Sequence, residues 1–137
     1  MTNLAPIVSD SFEAVFCCHA LEHLYPYQVP LALSEFLRVL KPDGAVMILV
    51  PDLEDVKPDV KPLAEDTVLG PICGLDMFYG HHAVLEHHPF MAHHCGFIAS
   101  VLHDALTAAG FEGIETKRMT NYHLCGTGKK ANGVHSG

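Results

Sequence analysis

Two short apolar runs with a helical pattern between them open the chain. Residues 13–18 (EAVFCC) and 45–50 (AVMILV) are almost continuously apolar, as is typical of strands buried in a parallel sheet. Between them, apolar residues recur at helical spacing, so we predict a helix over 30–40 and a turn at 41–44 (KPDG). The apolar face of that helix consists of Leu33, Phe36, Leu37 and Leu40.

The second half repeats the alternation of helix and strand. Apolar residues over 98–109 predict a helix that ends at Gly110, and 112–118 predicts a third strand. A fourth strand at 121–127 follows so closely that only antiparallel pairing is possible. This order predicts an α/β fold, in which helices cover both faces of a parallel sheet and the final hairpin adds an antiparallel edge.

We expect a single domain over residues 1–128. A flexible tail over 129–137 would follow it, in which Lys129 and Lys130 are solvated.

The long segment between the second strand and the last helix is rich in Pro, Gly and His. Loops of this length are usually functional or contain short helices. Imidazole and thiol groups there could bind a metal, but adjacent histidines cannot easily both bind one ion, and no zinc-finger spacing occurs. We therefore predict a polar, pH-sensitive lid on the substrate side and no metal site. The residues concerned are His81, His82, His87, His88, His93, His94 and Cys95.

Charge and composition narrow the function classes. Eight Lys and Arg residues against sixteen Asp and Glu residues give a formal net charge of −8, which disfavours a nucleic-acid partner. No apolar run reaches the ~18 residues of a membrane span, and no signal pattern occurs, so we expect a cytoplasmic protein without a membrane partner. The five cysteines lack a Cys-x-x-Cys spacing and are expected to be free thiols.

Several short segments in sequence order resemble one family. They are Asp10 to Phe16 (DSFEAVF), His19 to His23 (HALEH), Arg38 to Gly44 (RVLKPDG), Val50 to Asp52 (VPD), Tyr79 to His81 (YGH) and Ala109 to Phe111 (AGF). Together they are similar to the C-terminal half of class I S-adenosylmethionine-dependent methyltransferases of the type 11-like group, although Glu13 stands where the family has Asp. The resemblance implies a partial Rossmann-like sheet, S-adenosylmethionine as cofactor and a small-molecule substrate.

The family's glycine-rich turn (Asp/Glu-x-Gly-x-Gly) and its ribose-binding acidic residue have no counterpart in this sequence. We reject the segment Gly126 to Gly128 as a substitute, because it follows no strand-to-helix crossover. We therefore expect a truncated methyltransferase domain that is inactive alone and needs a complementing half-domain.

The resemblance also implies roles for individual residues. His19, Glu22 and His23 follow the first strand and would be catalytic, with a histidine as the base. Contacts with the cofactor would come from Thr2, Asn3, Cys18, His19 and Leu21, and contacts with the substrate from His81, His82, His93 and His94.

Two other interpretations of residues 19–23 remain open. The pattern His-x-x-Glu-His also occurs in zinc peptidases, where both histidines bind the ion from one helix and the glutamate is the base. Here a strand leads directly into the pattern and Pro26 follows it, which disfavours a long helix. Alternatively, Leu21 and Leu24 pack in the core while the polar residues only cap the connection.

The unpaired edge of the first strand leads to a prediction about the partner of this chain. In the complete family fold this strand has a neighbour that the sequence lacks, and residues 14–17 carry no charge that would discourage edge pairing. We therefore predict a homodimer through this strand or through an uncovered helix face. The alternative function is a non-enzymatic remnant that self-associates and binds a partner or metal through the histidine-rich loop.

Overall fold

The computed structural model describes residues 1–64 and 70–133. In chain order the elements are β1 (Phe12–Cys18), α1 (Val29–Val39), β2 (Leu40–Pro51), β3 (Pro62–Ala64), β4 (Ile72–Cys73), α2 (Gly74–Tyr79), α3 (His82–Leu85), α4 (Ala99–Ala109), β5 (Glu112–Met119) and β6 (His123–Lys129). Short 3-10 helices lie at Leu21–His23, Pro26–Gln28 and Pro89–Met91. The α/β fold predicted from the sequence is confirmed.

The main sheet has the strand order β1-β2-β6-β5. Helix α1 connects β1 with its parallel neighbour β2, whereas β6 is antiparallel to both β2 and β5. The prediction that the last hairpin adds an antiparallel edge to the sheet is confirmed. β6 pairs with β2 from Ala45↔Lys129 to Pro51↔His123, so β5 is left at the edge.

Helices α1 and α4 cover one face of the sheet. Cys17, Ile48 and Gly126 form one cross-strand row of buried residues, and a Cβ atom on Gly126 would lie 2.7 Å from Leu102 Cδ2 on α4. The glycine therefore lets the helix approach the strand closely.

The next cross-strand row points to the other face. It starts with Phe16 and Met47, which are 63% and 43% exposed. These two side chains leave this face exposed to solvent at β1 and β2. We call the surface formed by Ala14, Phe16, Cys18, Met47 and Leu49 the open face.

The turn predicted at residues 41–44 lies inside β2 as a bulge. The pairing with β1 moves from Phe12↔Leu40 to Ala14↔Ala45, so the strand accommodates extra residues there. Asp43 has a φ of 63°, a left-handed conformation that Asp tolerates.

Lys129 and Lys130 are not in a solvated tail. Lys129 is the last residue of β6, and the Lys130 amide donates a hydrogen bond to the Gly44 carbonyl at 2.9 Å. The Lys130 ammonium group binds Asp10 Oδ1 at 2.6 Å and the Leu40 carbonyl at 2.8 Å. These bonds hold Lys130 against the bulge of β2, and residues 134–137 lie outside the described residues.

Ion pairs connect the carboxyl end of β2 with β5. Asp52 is 3% exposed, and its Oδ2 accepts a hydrogen bond from Arg118 Nε at 2.7 Å. Arg118 Nη2 also donates to Asp55 Oδ2 at 2.7 Å.

Across residues 1–64 and 70–133, no helix is both long and apolar enough to cross a bilayer.

Candidate active site

The chain turns sharply inward after β1. The His19 amide still donates to the Leu49 carbonyl at 2.8 Å, but His19 itself adopts a φ of 49°. The 3-10 helix Leu21–His23 follows, and Leu21 is fully buried in the main core. Because Leu21 packs in this core, the side chain of the next residue, Glu22, also lies in the interior and is only 2% exposed.

Glu22 lies between two histidines. Its Oε1 atom is 3.7 Å from His19 Nδ1 and 3.7 Å from His23 Nε2. Its Oε2 atom is buried and has no hydrogen-bond partner among the described residues. Buried polar atoms nearly always have a hydrogen-bond partner. A structural role therefore does not explain the unpaired oxygen of Glu22, which favours a functional role.

The histidine-rich segment is bonded directly to this turn. The Glu22 carbonyl accepts hydrogen bonds from the His94 amide at 2.8 Å and the Cys95 amide at 3.4 Å. The Cys95 thiol donates to the Leu21 carbonyl at 3.3 Å. The rings of His23 and His93 meet edge to face, with their centroids 5.1 Å apart. The segment thus forms one wall of the site around Glu22.

Burial controls protonation in this site. It lowers the pKa of His93 below the ordinary histidine value, although the hydrogen bond with the Met77 carbonyl opposes the shift. Burial, followed by the charge of Glu22, raises the pKa of Cys95 to about 11. Near neutral pH, His93 is therefore a neutral imidazole and Cys95 a thiol, which makes Cys95 a poor nucleophile.

The predicted site residues fall into two separate groups. His19, Glu22 and His23 converge, and His93 joins them, while His94 stacks on Tyr25 with a centroid distance of 4.2 Å. The other two predicted substrate residues, His81 and His82, stack on each other at 4.9 Å. His82 Nδ1 is 2.8 Å from Asp76 Oδ1, so this pair belongs to the α2–α3 region.

The residues predicted to contact the cofactor are also divided. Cys18 and His19 are exposed at the carboxyl end of β1, where ligands of open α/β sheets bind. Leu21 is fully buried, and its carbonyl already accepts the Cys95 thiol. Asn3 uses its side-chain oxygen to accept a hydrogen bond from the Ala5 amide at 2.9 Å, and Thr2 is half-buried beside it. The predicted contacts therefore differ in exposure and in the partners that they already bind.

Sequence reasoning missed two polar residues. His123 lies on β6 with its ring centroid 5.0 Å from that of His19, and its Nδ1 atom is buried without a partner among the described residues. Burial, followed by the charge of His19, lowers the pKa of His123. Asp76, which is 5% exposed, was also missed. No local motif marks either residue, because their surroundings depend on distant pairing.

The geometry differs from the helix that a zinc peptidase would need. His19 is in a left-handed conformation, and only Leu21–His23 are helical, in a single 3-10 turn. The two histidines therefore do not occupy successive turns of one α-helix, and Glu22 lies between them.

The comparisons with known proteins agree with this fold. A family model described as a methyltransferase domain matches residues 1–48, which include β1, the turn that carries His19 to His23, and α1. The chain has the class I methyltransferase fold. The comparison with curated proteins finds no match.

Solved structures extend the likeness beyond residue 48. Human N-acetylserotonin methyltransferase in complex with SAM is 13% identical, with a TM-score of 0.56 over 87% of this chain and 29% of that one. The 1,6-didemethyltoxoflavin-N1-methyltransferase of Burkholderia thailandensis, with S-adenosylhomocysteine bound, is 20% identical with a TM-score of 0.58 over 90% and 45%. A SAM-dependent methyltransferase of Archaeoglobus fulgidus is 13% identical with a TM-score of 0.61 over 91% and 62%.

At these identities the likeness concerns the fold alone. The chain spans between 29% and 62% of the length of these three proteins.

Proposed function

We propose that this chain forms the substrate-facing part of an S-adenosylmethionine-dependent methyltransferase that acts on a small molecule. One observation carries the proposal: a buried carboxylate, Glu22, lies between His19 and His23 at the carboxyl end of β1. Ligands of open α/β sheets bind at this end, and the class I methyltransferase fold supports a reaction that needs a proton acceptor there.

His19 is the residue best placed to accept the proton. Its side chain is 39% exposed, and its Nδ1 atom faces Glu22, which leaves Nε2 for the substrate. As an O–H or N–H group of the substrate loses its proton to His19, the Glu22 carboxylate stabilises the imidazolium. The cofactor would supply the methyl group from its sulfonium. A positioned base of this kind contributes roughly 10²- to 10⁴-fold to a rate.

We further propose that the 137 residues do not methylate a substrate by themselves. Only Cys18 and His19 of the predicted contacts are exposed at the right end of the sheet, and the sequence has no glycine-rich turn after a buried strand. Charge-assisted hydrogen bonds contribute about 1.5–3 kcal/mol each, so the loss of several such anchors weakens cofactor binding severely.

Two measurements test this proposal on the isolated chain. With radiolabelled cofactor and a panel of small phenols and amines, we expect no methyl transfer. Nuclear magnetic resonance with millimolar S-adenosylhomocysteine should still shift the amide signals of Cys18 and His19, with adenosine as the reference ligand. Shifts confined to another region, or no shift at all, would contradict a residual cofactor site. Turnover by the chain alone would contradict the proposed inactivity.

A second candidate function is self-association without catalysis, which the exposure of β1 favours. In the described part of the chain, β1 pairs on one side only, and Phe12 and Phe16 are 45% and 63% exposed. Residues 14–17 of this edge strand carry no charge, and the strand also exposes aromatic side chains, which favours pairing with a second copy. A twofold contact of this kind closes the assembly. Light scattering should show a dimer, whereas a monodisperse monomer would end this idea.

A further inference from the structure

The tautomers of His23 and His93 follow from their hydrogen bonds. His23 Nδ1 is 3.3 Å from the Ala92 carbonyl oxygen, and His93 Nδ1 is 2.9 Å from the Met77 carbonyl oxygen. A carbonyl oxygen only accepts, so each Nδ1 atom carries the proton. In a neutral imidazole, the lone pair then lies on Nε2. Metal-binding histidines in proteins typically show this arrangement, with one nitrogen donating to a backbone carbonyl and the other facing the ion.

The third group is the carboxylate of Glu22. One potential ligand atom from each of Glu22, His23 and His93 lies within 4.8 Å of the others. His23 Nε2 is 3.7 Å from Glu22 Oε1, and Glu22 Oε2 is buried with no hydrogen-bond partner among the described residues. In a tetrahedral zinc site with bonds of about 2.0–2.2 Å, the ligand atoms lie roughly 3.4 Å apart. Side-chain movements of about 1 Å would close this set around an ion.

We propose that Glu22, His23 and His93 bind one divalent transition-metal ion, with zinc as the best fit. Two imidazoles and one carboxylate form a donor set that zinc uses in catalytic sites, where the fourth position stays open to water or a substrate atom. The ion would neutralise the buried charge of Glu22 and satisfy its unpaired oxygen. Metal binding does not require the cofactor, so the inference is independent of the proposed methyl transfer.

This inference departs from the expectation that the chain has no metal site. That expectation considered the adjacent histidine pairs of the long segment as ligands for one ion. The structure instead brings a single histidine of that segment, His93, to the turn after β1, while His81 and His82 lie beside Asp76. The proposed ligands therefore come from two distant parts of the chain and not from the adjacent histidine pairs of the long segment.

The experiment is a titration of the metal-free, untagged chain with Zn²⁺ by calorimetry against a competing chelator. We expect one ion per chain. Glu22→Gln and His93→Ala each remove a direct ligand and should weaken binding by more than about 100-fold, beyond the roughly 10- to 100-fold loss that is typical for outer-shell partners. His94→Ala is the matched control, because His94 is adjacent in sequence but stacks on Tyr25 outside the set, and its affinity should not change.

A second readout does not depend on the variants. In the unmodified chain, Zn²⁺ should move the Nε2 nitrogen signals of His23 and His93 while both Nδ1 atoms keep their protons. Cobalt(II) bound at the same site should show the intense visible absorption of tetrahedral coordination. Several ions per chain, an affinity that falls equally in His94→Ala, or Nε2 signals that do not move would each overturn the proposal.

Discussion

Replacing Asp76 by Asn should destabilise the region around α2 without changing its shape. The Asp76 carboxylate is 5% exposed and accepts hydrogen bonds on both oxygens. Oδ2 binds the Cys73 amide at 3.0 Å and the Cys73 thiol at 3.2 Å, and Oδ1 binds the His82 amide at 3.1 Å and lies 2.8 Å from His82 Nδ1. One side chain thus joins the residue before α2 to the first residue of α3.

The magnitude follows from counting donors. Asparagine has only one acceptor oxygen, so its NH₂ group must face either the Cys73 amide or the His82 amide, which is then left unsatisfied. A buried unsatisfied donor costs about 1–3 kcal/mol, and the remaining bonds lose the strength that a charged acceptor gives them. We therefore expect Asp76→Asn to lower the free energy of unfolding by about 2–4 kcal/mol at neutral pH. Asp104→Asn, at a carboxylate that is 85% exposed, is the control and should stay within about 0.5 kcal/mol.

The effect of Asp76→Asn on the free energy of unfolding should depend on pH, because the pKa of Asp76 is shifted in the folded state. Burial alone raises the pKa of Asp76, but the hydrogen bonds from Cys73 and His82 outweigh it and hold the pKa well below its usual range. A depressed pKa in the folded state stabilises the fold above the unfolded value of about 3.9, and this contribution is lost as the pH falls towards the folded value. Urea unfolding should therefore show the gap between wild type and Asp76→Asn shrinking as the pH falls from about 5 to about 2. A gap that is absent at neutral pH, or that stays constant over this range, would refute the reasoning.

Two further predictions concern the two faces of the sheet. Gly126→Ala should lower the free energy of unfolding by about 1–3 kcal/mol, because the new Cβ would lie 2.7 Å from Leu102 Cδ2, and Leu102 is fully buried. Urea unfolding checks this, with Thr127→Ala on the opposite face as control, and equal stability of the two variants would contradict it. Phe16→Lys should shift the light-scattering mass from dimer to monomer, while Phe90→Lys, at a residue that is 71% exposed on a short 3-10 helix, should leave it unchanged. Equal effects of the two lysines would rule out a specific role for β1.

The local elements were predictable because their signals are local. The apolar run of β1 and the helical spacing of α1 and α4 placed these elements to within about two residues, the usual uncertainty of helix and strand ends. The position of β6 between β2 and β5 was not predicted, because strand order depends on hydrogen bonds between distant residues. One sequence signal was available: a glycine inside the predicted strand 121–127, Gly126, indicates the close approach of another element.

Only the part of the candidate site that the turn after β1 forms could be predicted from the sequence. The turn after β1 drew attention to His19, Glu22 and His23 because polar residues there follow a buried strand. The burial of Glu22 was not predictable, since it depends on Leu21 entering a core that α1, β2 and α4 build together. The approach of His93 depends on hydrogen bonds from the histidine-rich segment to the Glu22 carbonyl. Such features of a site arise from tertiary packing, which overrides local preference most often at functional positions.

The two roles inferred for Glu22 make different demands on His19. As the partner of a base, Glu22 must keep its negative charge available to an imidazolium 3.7 Å away. As a metal ligand, it would share that charge with a divalent ion, and the ion would repel a proton on His19. A filled metal site should therefore turn the open coordination position into the place where a substrate oxygen or nitrogen binds. The ring-nitrogen signals of His19, compared with and without Zn²⁺, therefore test whether the two functions share Glu22. A change on metal addition indicates a shared carboxylate, and no change would contradict it.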